Sequence, residues 1–261
     1  MQQAQKQHTK YTIRLQKLIS LIFQFVISQK SPNFETRVEQ IGQSLQSLTN
    51  LSNFELEFKF DQQKTLGICS ILENCKNLSS LKLKLNNNEI TDDMLSQMCQ
   101  SLSSCKNNNL QILVLDFSNN QITDDMLSQM CYSFSSCKNL SHLELILKNN
   151  YLQCICGICS PLLVLNNLQI LVLDFSKNII KGLTVSELGS ALSKCFNLIS
   201  LEFWLDDVTI FVFAKYLPNI INLRNLKLHL EHNSVSEDQE KQLSIFVLKL
   251  KKLVQKQISI F

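Results

Sequence analysis

The ten residues ITDDMLSQMC occur at Ile90 to Cys99 and again at Ile122 to Cys131, and LQILVLDFS begins at Leu110 and again at Leu168. Literal repetition constrains a chain more than composition can. Each copy must take the same local structure, and the copies must stack, because one unit of about 30 residues cannot bury an apolar face alone. Aligning the copies exposes the pattern L-x-x-L-x-L-x-L-x-x-N, starting at Leu51, Leu78, Leu110, Leu140, Leu168, Leu198 and Leu223, at intervals of 25 to 32 residues.

Within each copy the apolar residues first alternate, as in Leu81, Leu83, Leu85 and Leu143, Leu145, Leu147. That period of two sends one face of a strand into a core. Between strands the steps become three, four and three: Val38, Ile41, Leu45, Leu48; Leu95, Met98, Leu102, Cys105; Ile155, Ile158, Leu162, Leu165; Val185, Leu188, Leu192, Cys195; Ile210, Phe213, Leu217, Ile220. This is one face of a helix. Strands that alternate with helices at a fixed period predict an α/β solenoid, with a parallel sheet on its concave side and helices on its convex side.

Residues 35–261 are thus expected to form one repeat domain of seven repeats plus a degenerate C-terminal one. In that last unit Ser236 to Gln239 reads as a capping box, Leu243, Phe246 and Leu250 continue a helical face, and Leu253, Lys256, Ile258 and Ile260 imitate an eighth strand. The end reads either as a blunt terminal strand or as a cut in a longer array. Residues 1–34 carry Lys6, Lys10, Arg14 and Lys17 without an acid, followed by the apolar run Leu18 to Ile27. The run is well short of the ~20 residues that span a bilayer and has no small-x-small cleavage signal. A capping helix or a flexible segment is expected there, in preference to a cleaved presequence.

Taken together, these copies resemble the leucine-rich repeats, specifically the longer ribonuclease-inhibitor-like type that alternates strand and full helix. The resemblance runs from Val38 to Asn233 and includes Asn88, Asn120, Asn150, Asn178 and Asn233 at the family's asparagine-ladder position. It implies that these amides bond backbone groups in the turn after each strand, and it implies a horseshoe-shaped solenoid. Two departures stand out. Each strand carries one extra x-L pair, which implies a longer strand, and Asp61 and Val208 replace the asparagine, which implies a ladder interrupted near Val208.

The chain is 45% hydrophobic, ample for a continuous core, and its 25 basic and 22 acidic residues are dispersed. Such a balance does not predict a nucleic-acid surface. Its ten cysteines sit in a long, core-rich chain, unlike a disulfide scaffold, so a reduced, cytoplasmic protein is expected.

Cysteine spacing offers Cys154, Cys156 and Cys159 as metal ligands. In the repeat alignment, however, Cys159 shares its position with Cys69, Cys99 and Cys131, where other copies carry Gly42, Gly189 and Ala214, and Cys75, Cys105, Cys137 and Cys195 share a second helix position. Packing explains these better than a metal does. His229 and His232 lie three apart across a strand end, pointing to opposite faces, so solvated histidines are expected rather than a metal pair. The five glycines are isolated, giving no phosphate-cradling loop, and no G-x-S-x-G elbow exists. The pairs Asp92, Asp93 and Asp124, Asp125 fall in helix first turns, where the dipole favours acids. No catalytic residue, metal or cofactor is expected.

In L-x-L-x-L the intervening residues face the open side of the sheet. They run Glu55, Glu57, Lys59; Lys82, Lys84, Asn86; Val114, Asp116, Ser118; Glu144, Ile146, Lys148; Val172, Asp174, Ser176; Glu202, Trp204, Asp206; Lys227, His229, Glu231. This surface predicts a protein or peptide partner that is basic and partly apolar, with no role for nucleic acid or membrane. Asp116, Ile146, Asp174, Trp204, Asp206 and His229 are the candidate contacts, with Trp204, the chain's only tryptophan, as the anchor. The expected role is a non-enzymatic interaction scaffold. The family resemblance implies an alternative, an enzyme regulator that acts as an inhibitor or a GTPase activator, although Arg14, Arg37 and Arg224 fall in no recognisable arginine motif. A fragment of a longer array is the third reading.

Overall fold

Leucine alternation does what its period requires: in the strand Ser80–Lys84, Leu81 and Leu83 are fully buried while Ser80, Lys82 and Lys84 stay half-buried on the other face. The computed structural model describes residues 20–26, 52–59, 77–104, 109–231, 237–250 and 252–260. Among the described residues nine parallel strands pair in chain order: β1 (Ser20–Val26), β2 (Asn53–Lys59), β3 (Ser80–Lys84), β4 (Ile112–Asp116), β5 (His142–Ile146), β6 (Ile170–Asp174), β7 (Ser200–Asp206), β8 (Asn225–Glu231) and β9 (Gln255–Ile260). Parallel neighbours need crossovers. These contain the helices α1 (Asp92–Ser104), α2 (Asp124–Phe134), α3 (Cys159–Val164), α4 (Gly182–Leu192), α5 (Asp207–Ala214) and α6 (Glu237–Leu248). The sheet runs open from β1 to β9 without closing, and the chain is a leucine-rich-repeat solenoid.

One continuous core lies between sheet and helices. From β3 to β8 it takes leucine or phenylalanine from every strand, and from the helical side it takes residues such as Leu95, Met98, Leu102, Val185, Leu188, Leu192, Ile210 and Phe213. Two crossovers depart from a full helix. Ile155 to Leu165 folds as a 3₁₀ turn followed by the six-residue α3, and α5 is followed by a 3₁₀ turn at Leu217–Asn219, yet the predicted apolar positions in both are buried. The helical face Val38 to Leu48, together with Cys69, Cys75 and Cys105, lies outside the described residues.

The asparagine ladder forms. Asn120 Oδ1 accepts from the N–H groups of Asn88 and Ile90, while its Nδ2 donates to the carbonyls of Leu85 and Phe117. Asn150 bonds Ile122 N–H and the Phe117 and Leu147 carbonyls, and Asn178 bonds the N–H groups of Asn150 and Leu152 and the Leu147 and Phe175 carbonyls. The residue before each ladder amide turns left-handed: Asn87, Asn119, Asn149 and Lys177 all have φ between 55° and 60°. Asparagine tolerates that conformation, whereas at Lys177 it carries a steric cost. Asn233 and Asp61 lie outside the described residues. In the sixth copy α5 starts at Asp207, immediately after β7, so the turn that the ladder spans is missing there.

Strand lengths answer the extra x-L pair unevenly. Strands β3 to β6 have five residues and β7 and β8 have seven, but backbone pairing continues past the shorter ones, as in Leu85 N–H to Asp116 O (2.7 Å) and Asn87 N–H to Ser118 O (3.0 Å).

At the N-terminus the expected helix is corrected: Ser20–Val26, inside the apolar run, is strand β1, paired in register from Ser20 against Asn53 to Val26 against Lys59. Its S-L-I-F-Q-F-V sequence is rich in β-formers, and the exposed edge of β2 offers backbone partners that a helix would leave unmet. The rest of residues 1–34 lies outside the described residues. At the other end, α6 and β9 occupy the stretches expected for the last helix and strand, with Leu243 and Leu250 buried and Lys256 exposed.

Candidate functional site

Parallel in-register pairing turns the outward positions into rows that cross the strands. One row is Glu55, Lys82, Val114, Glu144, Val172, Glu202, Lys227; the next is Glu57, Lys84, Asp116, Ile146, Asp174, Trp204, His229. Between β4 and β7 the two rows form a checkerboard. Valine and acid alternate in one, acid and large apolar in the other, so every carboxylate has at least one apolar neighbour directly across the strands. The origin is local: β4 and β6 share the sequence I-L-V-L-D, whereas β5 and β7 read H-L-E-L-I and S-L-E-F-W.

At the two ends of the rows, charges neutralise one another. Lys84 Nζ donates to Glu55 Oε1 at 2.9 Å. That hydrogen bond holds the Glu55 carboxyl below its usual value and raises the Lys84 ammonium above its own. On β7 and β8, Lys227 Nζ lies 3.1 Å from Glu202 Oε2, and His229 Nε2 lies 3.3 Å from Glu202 Oε1. Exposed pairs of this sort add at most about 1 kcal/mol, but they cancel charge locally. Asp116 lies opposite Lys84, which bonds Glu55, while Glu144 faces Val114 and Val172; His142 Nε2 lies 4.0 Å from Glu144, and burial lowers the histidine's pKa.

Five of the six predicted contacts, Asp116, Ile146, Asp174, Trp204 and His229, fall in a single row. Asp206 sits in the next one, opposite Glu231, and its side chain lies outside the description. Two of the five do more than face outward. Asp116 Oδ1 accepts from Ser118 N–H (2.9 Å), and Asp174 Oδ1 accepts from Ser176 N–H (3.0 Å) and Ser176 Oγ (2.6 Å), so these carboxylates also hold the turn at the strand end. Asp174 is only 9% exposed, recessed between Ile146 and Trp204.

His229 corrects the expectation of a solvated histidine. It is 8% exposed, and its ring stacks on that of Trp204 with centroids 4.2 Å apart and planes 9° from parallel. The register that places it directly opposite Trp204 is the reason. His232 lies outside the described residues. Arg224 is exposed at the start of β8, its backbone paired with Val254.

Packing claims Cys99, Cys131 and Cys137, all buried, and burial raises the thiols of Cys131 and Cys137. Cys154 and Cys156, expected reduced, are instead joined in a disulfide. Among the described residues no three His, Cys, Asp or Glu side chains gather as metal ligands, and no helix is long and apolar enough to cross a membrane. The aspartate pairs begin α1 and α2 as the helix dipole favours, and Asp124 Oδ1 additionally accepts from Gln153 and Cys154 N–H, stapling one repeat to the next.

A second polar ladder escaped the sequence reading. Asn167 Nδ2 donates to Lys138 O, Asn197 to Asn166 O and Asn222 to Phe196 O, at 2.9, 2.6 and 2.6 Å, along the edge where the strands begin. The signal was present: Asn directly precedes the first leucine of the pattern in all seven copies, at Asn50, Asn77, Asn109, Asn139, Asn167, Asn197 and Asn222.

No family model and no curated protein matches the chain. Among solved structures it is similar to one titled leiomodin-1 actin-binding site 2, at 18% identity over 68% of this chain and 94% of that one, with a TM-score of 0.44. It is also similar to a tropomodulin C-terminal domain from Caenorhabditis elegans, at 15% identity over 61% of this chain and 93% of that one, with a TM-score of 0.43. Likeness at that level says nothing of what this chain binds.

Proposed function

We propose that the protein is a non-enzymatic interaction scaffold that binds a basic and partly apolar segment of another protein on the open sheet face between β4 and β7. The checkerboard carries this reading. Four carboxylates, each with an apolar side chain across at least one neighbouring strand, offer charge for steering and orientation and apolar area for affinity. Trp204, standing half-exposed at its edge, is the aromatic anchor around which binding energy concentrates. On this reading the protein belongs to the ribonuclease-inhibitor-like type, supported by its 11- to 13-residue helices α1, α2 and α4, and works in the cytoplasm on a protein rather than on nucleic acid or membrane.

Affinity capture from native extract at physiological salt tests it, comparing the full chain with a Trp204→Ala, Glu144→Lys double variant that circular dichroism shows to be folded at the assay temperature. Both substitutions lie outside the core. Loss of the captured protein is expected; undiminished capture by the variant rejects the sheet face as the binding surface.

A further inference from the structure

We infer that Cys154 and Cys156 form a reversible redox site, a cysteine pair that exchanges its disulfide with small-molecule thiols of the glutathione class. The pair lies in the crossover between β5 and β6, so it stands apart from the reading of the open sheet face. Among the described residues the other cysteines, Cys99, Cys131, Cys137, Cys159 and Cys195, carry free thiols. The crossover itself explains why a pair can form here. From the ladder asparagine to the first buried residue of the helical face, Asn120 to Leu127 is two residues longer than Asn150 to Ile155. The shorter entry lacks the capped first turn that Thr123 gives α2, and Asp124 of the preceding repeat holds it instead, accepting from Gln153 N–H at 2.8 Å and Cys154 N–H at 3.0 Å.

The fold does not need the bond. A disulfide stabilises largely by restricting the unfolded chain, an effect that shrinks with the loop it closes, and only Ile155 separates these two cysteines. Ile155, Ile158 and Leu162 are buried in the core, and a Cβ on Gly157 would stand 2.9 Å from Ser128 Cα of α2. Those contacts hold the crossover whether the bond is open or closed. Cys154 and Cys156 are half-buried, whereas Cys99, Cys131 and Cys137 are buried. A reachable disulfide that adds little to the fold is of the labile kind, and in a reducing compartment such bonds are transient or redox-sensing. The next thiol along the chain, Cys159, is pushed up to about 11 by burial, so the attacking thiolate comes from outside.

Exchange runs in two steps. A glutathione thiolate attacks Cys156 Sγ; the Cys154–Cys156 bond breaks, its electron pair leaves on Cys154 Sγ, and that sulfur takes a proton from solvent. Cys156 N–H, which donates to Cys154 Sγ at 3.4 Å, stabilises the departing thiolate. A second glutathione thiolate then attacks the glutathione sulfur of the mixed disulfide. Cys156 leaves as a thiolate and is protonated, and oxidised glutathione departs with the two thiols' electrons left on the protein.

The full-length protein is equilibrated from both directions in buffers of stepped reduced-to-oxidised glutathione ratio, quenched in acid, alkylated in denaturant and mapped by peptide mass. Cys154 and Cys156 are expected to gain and lose their labels together and reversibly, with an unchanged far-ultraviolet circular dichroism spectrum. Cys154→Ser removes the thiol that displaces glutathione on reoxidation, so under oxidised glutathione this variant is expected to accumulate a mass shift of one glutathione at Cys156. A pair that stays oxidised in excess reduced glutathione until urea unfolds the chain is a fixed cross-link and overturns the site. A pair that stays reduced in oxidised glutathione, or a Cys154→Ser chain without the adduct, overturns it equally.

Discussion

Trp204 and His229 form a parallel ring pair across β7 and β8, and Glu202 ties the same histidine from two residues earlier in β7, 3.3 Å from its Nε2. An aromatic pair of this geometry contributes about 0.5–1.5 kcal/mol beyond burial. His229→Ala is therefore expected to lower stability by about 1 kcal/mol and to shift the single tryptophan's emission to the red, read by urea unfolding and steady-state fluorescence. An emission spectrum unchanged by the substitution would contradict the stack.

The buried asparagine ladder and the exposed one should differ in worth. Asn150→Ala strands the Ile122 N–H and the Phe117 and Leu147 carbonyls in a buried turn, at roughly 1–3 kcal/mol for each group left unmet. Asn197→Ala leaves the Asn166 carbonyl to water and should cost no more than about 1 kcal/mol. Paired chemical denaturation of the two variants measures the gap; equal losses would refute the distinction.

Gly189 lies under the ring of Tyr216. A methyl group there would sit 2.5 Å from a ring carbon and 3.0 Å from the tyrosine Cβ, too close for the ring to evade by a small rotation. Gly189→Ala should destabilise by about 1–3 kcal/mol despite alanine's better helix propensity. A pairing with Tyr216→Ala should recover part of that loss, which a double-mutant cycle resolves.

His142 gives a pH dependence of defined sign. Burial lowers its pKa, which Glu144 only partly counters, so the unfolded chain holds the proton more tightly than the folded one. Stability should decline as pH falls below about 6.5, the ordinary imidazole value. His142→Gln should flatten that slope in melting curves taken between pH 5 and 7. The Glu55–Lys84 pair acts at other extremes: the lowered carboxyl loses its contribution as pH falls through the acid range, and the raised ammonium loses its own as pH rises past the ordinary lysine value.

Burial raises the thiols of Cys159 and Cys195 to about 11. At pH 8 on the order of 0.1% of each is thiolate, the reactive form. Iodoacetamide should label both slowly in the native protein and rapidly in urea, as peptide mass mapping would show. Fast native labelling at Cys195 would contradict its burial.

Periodicity made most of the architecture legible. Leucine spacing located β2 to β9, and the ladder at Asn120, Asn150 and Asn178 could be named in advance because each copy repeats the others, so a signal too weak to trust once was seen seven times. β1 was misread for the complementary reason: Leu18 to Ile27 belongs to no repeat, and a single apolar run does not distinguish helix from strand.

Within the sheet face, the chain's own order determined which side chains point outward, since alternation along a strand is a local property. Which of them meet was decided only in three dimensions. The alternation of Val114, Glu144, Val172 and Glu202 with Asp116, Ile146, Asp174 and Trp204 exists because neighbouring strands pair with no slip, and a shift of one residue in any strand would have sent its leucines outward instead. The stacking of His229 on Trp204 and the placing of Asp174 beside Trp204 arise the same way, from residues 25 or more positions apart that hydrogen-bonded backbones bring to adjacent places in one row.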